Sequence, residues 1–345
     1  PMQAKRIAIK SNEPIQGCRD CYKEELHGHE SRRIRENYKT VIFTEQAFDR
    51  SYQQSPMRDA FTVTTDRQPI DWHIDLGNEC NLACKMCSAQ ASSTIASQNV
   101  RWGLEEDRKF LGVDWTKDDT VWNNFKQQLL NIPKLNNIHF MGGETLLTQK
   151  FELLVDFFIK HQRFDVCFSF VTNGTVFKPE LIDKLKNFRR VGIEVSIETV
   201  DEHNAYQRQG TDTATVLENI QRYQQQCNNT SVTVTLRPAP SALTIGSYPS
   251  LLRYALEHKL IIKSNLCTSP RFLAAEILPS SVKRSYMADY DRLLHDLGDA
   301  KIGTDYNASD PNMYRSVIRE QAEMCRDILN TAEPADASEQ QKALV

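Results

Sequence analysis

Short apolar runs alternate with amphipathic stretches along most of this chain, starting near residue 71. The runs are rich in β-branched and aromatic residues and are separated by polar turns, a pattern that predicts strands. The predicted strands are Trp72–Leu76, Asn137–Met141, Val166–Thr172, Val191–Thr199, Val232–Leu236 and Leu260–Leu266.

Between the predicted strands, apolar residues recur with helical spacing. Pro179 suits the first turn of one helix, Thr213 can cap a second, and Pro249 can begin a third. Strands that alternate with helices predict parallel strands joined by right-handed crossovers. Six such units are too few for the eight-unit closed barrel. The pattern therefore predicts an α/β fold, either a partial barrel or an open sheet.

The segments on either side of residues 71–270 have different patterns. Residues 1–70 are polar and weakly periodic, and we treat them as a separate N-terminal segment. Residues 271–345 show helical stripes, which predict a helical C-terminal extension that ends in a polar, disordered tail. Because the chain begins at Pro1 rather than at a methionine, we expect it to be a piece of a longer protein.

Composition narrows the functional classes. Hydrophobic residues make up 40% and charged residues 25%, with a formal net charge of -3, so nothing signals a nucleic-acid partner. No apolar run is long enough to cross a bilayer, and no signal peptide opens the chain. The nine cysteines are an odd number, and several are crowded together. This usage predicts metal ligation or redox chemistry in a reducing compartment, the cytoplasm, rather than a disulfide framework.

Three of the cysteines lie on the loop that follows the first predicted strand. Cys80, Cys84 and Cys87 form a Cys-x3-Cys-x2-Cys pattern. Each thiolate could bind one iron of a cubane cluster, and three ligands would leave the fourth iron open to a small molecule. The alternative is a structural zinc site with a distant fourth ligand. Since zinc sites prefer paired Cys-x2-Cys knuckles, we favour the cluster.

Glycines and polar residues also follow the later strands. Because the carboxyl ends of parallel strands meet at one edge of a sheet, these residues are expected to share one site. They are Gly142-Gly143-Glu144 after the second strand, Thr172-Asn173-Gly174 after the third, Ser196 and Glu198 at the end of the fourth, and Arg237 at the end of the fifth.

The cysteine pattern after the first strand, together with Gly-Gly-Glu after the second, resembles the radical S-adenosylmethionine (SAM) superfamily over roughly residues 70–270. The resemblance implies a partial (β/α)6 TIM-like barrel as the core domain, residues 71–270. It also implies a 4Fe-4S cluster on Cys80, Cys84 and Cys87, with SAM chelated to the open iron. Electron transfer would cleave SAM to methionine and a 5'-deoxyadenosyl radical, which abstracts a substrate hydrogen.

The same resemblance implies cofactor-binding roles around the rim. Gly142 and Gly143 would let the backbone approach SAM, and Glu144 would accept a hydrogen bond from its ammonium group. Met86 would pack beside the adenine, where many relatives have an aromatic residue. Thr172 and Asn173 are expected to line the cofactor pocket. Ser196 and Glu198 are expected to bind the ribose hydroxyls, and Arg208 is expected to pair with the cofactor carboxylate.

Plainer interpretations of some of these residues stay open. Asn173-Gly174 is also an ordinary turn signal, Ser196 could serve the backbone alone, and Arg208 could form a surface ion pair. His139 and His73, inside predicted strands, are interpreted as packed residues rather than catalytic ones.

A second cysteine pair lies in the N-terminal segment. Cys18 and Cys21, with the residues around them, resemble the end of a twitch module, which carries an auxiliary iron–sulfur cluster. Such a cluster needs further cysteines, and these would lie upstream of residue 1. We favour the alternatives within this chain, namely a small zinc site with His27 and His29 or free thiols.

These expectations add up to a radical SAM enzyme. A peptide is the first candidate substrate and a nucleotide or sugar the alternative, with a flavodoxin or ferredoxin as electron donor. The competing class is a non-catalytic iron–sulfur or zinc protein on the same scaffold. The Gly142–Glu144 loop favours the enzyme, because a purely structural metal site would not require it.

Overall fold

The computed structural model describes residues 69–298 and 312–344. Its strands are β1 (Asp71–Asp75), β2 (Ala83–Cys84), β3 (Asn137–Met141), β4 (Cys167–Thr172), β5 (Arg190–Val195), β6 (Arg208–Gln209), β7 (Val232–Leu236) and β8 (Ile261–Ile262). Its α-helices are α1 (Ser93–Arg101), α2 (Asp119–Leu130), α3 (Gln149–Lys160), α4 (Pro179–Leu185), α5 (Glu202–Gln207), α6 (Thr213–Cys227), α7 (Tyr248–Glu257), α8 (Ser280–Leu297), α9 (Met313–Leu329) and α10 (Ala337–Leu344).

The main sheet has six strands in the order β1-β3-β4-β5-β7-β8, and every neighbouring pair is parallel. Each crossover between neighbours contains at least one helix, as parallel strands require. The fold is thus the predicted partial (β/α)6 TIM-like barrel with a helical C-terminus. The sequence did not predict the antiparallel pair formed by β2 and β6.

One face of the sheet carries the hydrophobic core. Phe140 and Phe168 stack with centroids 6.1 Å apart, and Phe151 of α3 packs edge-on against Phe140 at 5.0 Å. Ile193 on β5 continues this layer and is fully buried. Burying one such side chain stabilises the fold by about 1.5–3 kcal/mol, so this face holds the sheet against its helices.

The opposite face of the sheet is polar, because successive side chains in a strand point to opposite sides. The register places His73, His139, Ser169, Gly192 and Thr233 in one row across five strands. His73 and Thr233 are exposed and the other three are half-buried. We call this the inner face of the barrel.

Two predicted strands are shorter in the structure. β5 ends at Val195 rather than Thr199, and β8 covers only Ile261–Ile262 instead of Leu260–Leu266. The backbone N–H of Ser196 still donates to the Thr172 carbonyl at 2.8 Å, but that of Glu198 donates to a side chain, the Asn204 Oδ1, at 2.9 Å. Residues 196–198 therefore leave the sheet and form a loop at its edge.

The C-terminal part is helical, as predicted, but the expectation of a disordered tail is wrong for α10. Ala337 is buried, and Gln341 Nε2 donates to the Ile277 carbonyl at 2.6 Å, so the helix is anchored by contacts far away in sequence. Within the described ranges, no helix combines the length and the apolar character that crossing a membrane requires.

Candidate functional site

The loop that carries the three cysteines is held by the first turn of α1. Ser93 Oγ accepts a hydrogen bond from Cys80 N–H at 3.1 Å, and Thr94 Oγ1 donates to the Cys80 carbonyl at 2.7 Å. Ser92 caps the helix and donates from its Oγ to the Leu82 carbonyl at 2.7 Å. A run of hydroxyl residues after the cysteines thus fixes the loop backbone, a role that the sequence analysis missed.

The same loop is held from a second side by the β2–β6 pair. Cys84 lies opposite Arg208 in this pair, and Ala83 lies opposite Gln209. Lys85 N–H donates to the Gln207 carbonyl at 2.9 Å and extends the pairing. A cysteine and the arginine predicted to bind cofactor are therefore brought together by backbone hydrogen bonds.

Gly142 and Gly143 place their loop directly against the chain that leads into the cysteines. Gly143 N–H donates to the Gly77 carbonyl at 3.1 Å and Glu144 N–H to the Glu79 carbonyl at 2.6 Å. A Cβ on Gly143 would lie 2.1 Å from the Glu79 oxygen. The neighbouring backbone therefore requires glycine here. The sequence pattern had predicted a role toward the cofactor alone.

The Glu144 carboxylate is buried, with 1% of the residue exposed. Its Oε1 accepts from Thr172 Oγ1 at 2.7 Å and from Leu146 N–H at 3.0 Å, while its Oε2 accepts from Asn173 N–H at 2.6 Å. Burial raises the pKa of Glu144, although these hydrogen bonds lower it in part. In this structure Glu144 links the end of β3 to the end of β4.

Asn173 links β4 to the cysteine loop. Its Nδ2 donates to Asn81 Oδ1 at 2.8 Å, and Asn81 Nδ2 donates to Thr175 Oγ1 at 3.0 Å. Asn173 Oδ1 accepts from both the N–H and the hydroxyl of Thr175, as in an Asx turn. Asn173 therefore both forms an ordinary turn and contacts the cysteine loop, as the two interpretations of its sequence predicted.

Glu198 and Arg208 form a buried ion pair, so Arg208 is not in a surface pair. Arg208 Nη2 and Nε donate to Glu198 Oε1 at 2.6 and 2.9 Å, with the Glu198 side chain 0% and the Arg208 side chain 12% exposed. The other Glu198 oxygen accepts from Ala239 N–H at 2.5 Å. Arg208 Nη1 lies 3.7 Å from Cys84 Sγ and donates toward it.

The three thiols converge on one region. Cys80 and Cys84 are half-buried and Cys87 is exposed. Burial raises the pKa of Cys80 to about 11, and the charges of Glu144, Cys84 and Cys87 add to that effect. Burial also raises the pKa of Cys84, while the Arg208 guanidinium lowers it in part.

Within residues 69–298 and 312–344, one group of three potential metal ligands has all its ligand atoms within 4.8 Å of one another, and it is Asp201, Glu202 and His203 on the surface. The cysteine loop offers three free thiols, and each could bind one iron of a cubane cluster.

The remaining predicted site residues lie around the same rim. Ser196 is almost fully buried beside Thr172, and Met86 lies 4.0 Å from Gln207 Nε2 through its sulfur. Cys267 is buried, and Glu198 is one of the charges that raise its pKa after burial itself. Cys18 and Cys21 lie outside the described residues.

The inner face carries polar and charged groups, of which Arg237 was predicted to share the site, His73 and His139 were interpreted as packed residues, and Glu194 was missed. His139 Nδ1 is 2.8 Å from Ser169 Oγ, and its ring packs edge-on against His73 with centroids 5.0 Å apart. Arg237 Nε lies 2.8 Å from Glu194 Oε2 in an ion pair that lacks hydrogen-bond alignment. Strand alternation could have predicted this face, because His73 precedes the buried Ile74 and His139 lies between the buried Ile138 and Phe140.

A comparison with known proteins identifies the family to which the segment with these loops is similar. A family model described as Radical SAM superfamily matches residues 74–239, which contain the cysteine loop, the Gly-Gly-Glu loop and the Glu198–Arg208 pair. Residues 74–239 are a radical SAM domain. The superfamily predicted from the two motifs is thereby confirmed, whereas the resemblance to a twitch module is not.

Individual relatives are distant. The radical SAM cyclopropyl synthase TigE of Paramaledivibacter caminithermalis is 25% identical over 177 residues, which are 50% of this chain and 36% of TigE. This chain thus spans little more than a third of that relative's length.

Similar solved structures include anSMEcpe with bound AdoMet and a Cp18Cys peptide, at 17% identity and a TM-score of 0.47, covering 66% of this chain and 61% of that one. Another is Streptococcus suis SuiB bound to precursor peptide SuiA, at 14% identity and a TM-score of 0.45, covering 67% and 46%.

Proposed function

We propose that this chain is the catalytic core of a radical SAM enzyme that abstracts a hydrogen atom from a peptide. The carrying observation is that the loops bearing Cys80, Cys84 and Cys87 and Gly142–Glu144 hydrogen-bond to each other within the radical SAM domain. A 4Fe-4S cluster held here would supply the electron for the reductive cleavage of SAM, which is the source of the 5'-deoxyadenosyl radical. The three cysteines would hold this cluster, each as the ligand of one iron.

The rim residues would bind and orient SAM. Glu144, Asn173 and Thr172 fix the backbone of two adjacent strand ends. Gly142 and Gly143 let their loop lie against the backbone of residues 77–79, and their predicted contact with SAM remains a proposal. Ser196 and Met86 would contact the ribose and the adenine.

Arg208 has donors left for the cofactor carboxylate. A guanidinium has five N–H groups, of which Glu198 takes two and Cys84 takes one. Glu198, whose oxygens accept from Arg208 and Ala239, would then act on SAM mainly by positioning Arg208. Its predicted contact with the ribose remains a proposal.

The inner face is the surface proposed to receive the peptide. Among the described residues, no further strand pairs with β1, so an extended chain could enter from this edge of the sheet. The edge at β8 is covered by Met313–Leu329 (α9), whose Gln321 Oε1 accepts from Ser264 N–H. The polar row of His73, His139 and Ser169, with the Glu194–Arg237 pair, offers hydrogen-bond partners to peptide groups. A flavodoxin or ferredoxin would supply electrons to the cluster.

The function is tested by anaerobic reconstitution of the protein with iron and sulfide. We expect a brown protein that, once reduced, releases 5'-deoxyadenosine from SAM. Cys84→Ala should abolish both colour and cleavage, because two thiolates do not retain the cubane. Cys167→Ala, which removes a free thiol from β4 away from the loop, is the matched control and should keep both. A colourless wild-type protein with one zinc per chain would contradict the proposal.

The substrate class is tested by measuring how much a candidate substrate increases the rate at which 5'-deoxyadenosine is released, relative to the rate without substrate. A peptide library, a nucleoside set and a sugar set are compared with the same reduced enzyme. Stimulation by peptides, with deuterium transferred from a labelled peptide to 5'-deoxyadenosine, is expected. Stimulation by nucleosides or sugars alone would replace the peptide with the alternative class.

A further inference from the structure

We propose that Arg208 sets the reduction potential of the cluster on Cys80, Cys84 and Cys87 by holding a positive charge and an N–H donor against the Cys84 sulfur. The inference rests on the proposed function and deepens it. It gives Arg208 a role toward the cluster itself, in addition to its predicted pairing with the cofactor carboxylate.

The position of Arg208 is fixed by more contacts than an ion pair needs. Its backbone lies opposite Cys84 in the β2–β6 pair, and two of its guanidinium nitrogens donate to one oxygen of Glu198. Glu198 is itself fully buried and is fixed by Ala239 N–H and, through its own N–H, by Asn204. Nη1 is thereby left facing Cys84 Sγ at 3.7 Å.

The position of Arg208 distinguishes it from the other cations near the loop. Lys85 follows Cys84 directly, but its ammonium lies 4.4 Å from the Tyr206 ring centroid in a cation–π contact. Arg189 also donates to a cysteine sulfur, at 3.2 Å, but that cysteine is Cys167 on β4, which lies outside the cysteine loop. Among the residues that the structure describes, Arg208 is the one cation that donates a hydrogen bond to the sulfur of a predicted cluster ligand.

The expected direction follows from charge. Reduction adds one electron to the cluster and its thiolates, so a guanidinium in contact with one ligand sulfur stabilises the reduced state more than the oxidised state. Hydrogen bonds to cluster sulfurs act in the same direction, and those from an ionised donor are the stronger ones. Glu198 offsets part of the charge but lies on the other side of the guanidinium. Arg208 should therefore raise the potential and make the cluster easier to reduce.

The test uses the full chain, reconstituted without SAM, and measures the midpoint potential by a redox titration followed by electron paramagnetic resonance. Arg208→Gln should shift the midpoint to a lower potential at unchanged iron and sulfide content. Lys85→Gln removes a neighbouring cation without removing a sulfur contact, and Arg189→Gln removes a sulfur contact away from the loop. Both controls should stay at the wild-type potential. An unshifted Arg208→Gln, or an equal shift in Lys85→Gln, would overturn the inference.

A second measurement does not depend on whether Arg208→Gln folds. Wild-type protein labelled with ¹⁵N in its arginine guanidinium groups should show a ¹⁵N hyperfine coupling to the reduced cluster. This coupling should persist in labelled Arg189→Gln. Its absence from the wild-type spectrum would overturn the contact, even if SAM is cleaved normally and the proposed function stands. A wild-type chain that assembles no 4Fe-4S cluster would instead refute the proposed function and this inference together.

Discussion

At the scale of single residues, Gly143 shows how closely two loops of the site approach each other. A side chain at this position would collide with the backbone of Asn78 and Glu79, with the Glu79 oxygen 2.1 Å from the added Cβ. Backbone cannot move aside as a flexible side chain can, so the loops would have to separate. Since Glu79 directly precedes Cys80, that separation would displace the first of the three predicted cluster ligands.

Gly143→Ala should therefore lower both stability and iron uptake. Overpacking of this kind costs about 1–3 kcal/mol, and we expect a loss of that size in the free energy of unfolding measured with urea. Gly192→Ala is the matched control, because its Cβ would lie 3.4 Å from the Ser169 Cβ, an ordinary contact. Equal iron content in the two variants would show that the loop approach is not needed for the cluster.

His139 gives the inner face a pH dependence. Burial lowers the pKa of His139 below its ordinary 6.5; among its neighbours Glu194 and Asp75 act in the opposite direction, whereas His73 and Arg237 lower it further. The folded state thus disfavours the imidazolium. This group contributes stability above pH 6.5, and that contribution is lost as the pH falls through the lowered pKa.

His139→Asn should flatten the decline in unfolding free energy between pH 7 and pH 5 relative to wild type. His295→Asn removes a histidine whose side chain is 91% exposed and serves as the control. If His139→Asn follows the wild-type pH profile while the urea transition stays cooperative, the histidine carries no burial penalty.

At the scale of elements, the β2–β6 pair is the part of the site that local sequence signals do not reveal. Each strand has two residues and no alternation that could mark it, and the partners are separated by more than a hundred positions. Gly210, just after β6, has a φ of +99°. A Cβ added to Gly210 would lie 3.3 Å from the backbone oxygen of Asn81. The chain can turn away from the cysteine loop here because glycine permits that backbone.

Gly210→Ala tests whether the β2–β6 pair holds the cysteine loop, and a glycine with a similar φ elsewhere serves as the control. Gly103 has a φ of +92° but open space around its Cβ position. Both alanine variants should lose roughly 1 kcal/mol of stability from the left-handed conformation. Gly210→Ala alone should also lower the cluster content, measured as iron per chain. The same iron content in both variants would mean that the β2–β6 pair does not hold the cysteine loop.

The sequence predicted the elements correctly where the pattern that marks them is local, and wrongly where a structure depends on contacts between distant residues. Apolar alternation and turn residues marked β1, β3, β4 and β7 to within a residue, because burial of one face repeats along each strand. The end of β5 was placed too late, because Ile197 is buried like a strand residue although it lies in a loop. The partner of Arg208 was also missed, since the Glu198–Arg208–Cys84 contacts depend on where three separate loops meet.

At the scale of the whole molecule, α9 completes the core at the edge of the sheet. Its buried residues include Val317, Ile318 and Ala322, and Gln321 Oε1 accepts from Ser264 N–H at 2.8 Å just beyond β8. β8 has two residues, so α9 rather than a further strand protects this edge.

A chain that ends at Gly298 should lose cooperative unfolding and bind a hydrophobic dye. Each apolar side chain left exposed costs about 1.5–3 kcal/mol, and several together approach a typical total stability of about 5–15 kcal/mol. A chain that ends at Asn330 keeps α9 and removes α10, and it should retain a cooperative thermal transition. Indistinguishable melting curves for the two truncated proteins would show that α9 is not part of the core.

The unequal faces of the sheet have a consequence for how such a protein can diversify. Stability resides in the apolar layer around Phe140 and Phe168, whereas the inner face contributes few buried apolar contacts. If the inner face receives the substrate, as proposed, substitutions at His73, Ser169 or Thr233 should change which molecule fits without unfolding the scaffold. A lineage with this architecture can explore new substrates by mutating one side of the sheet, while purifying selection acts mainly on the other.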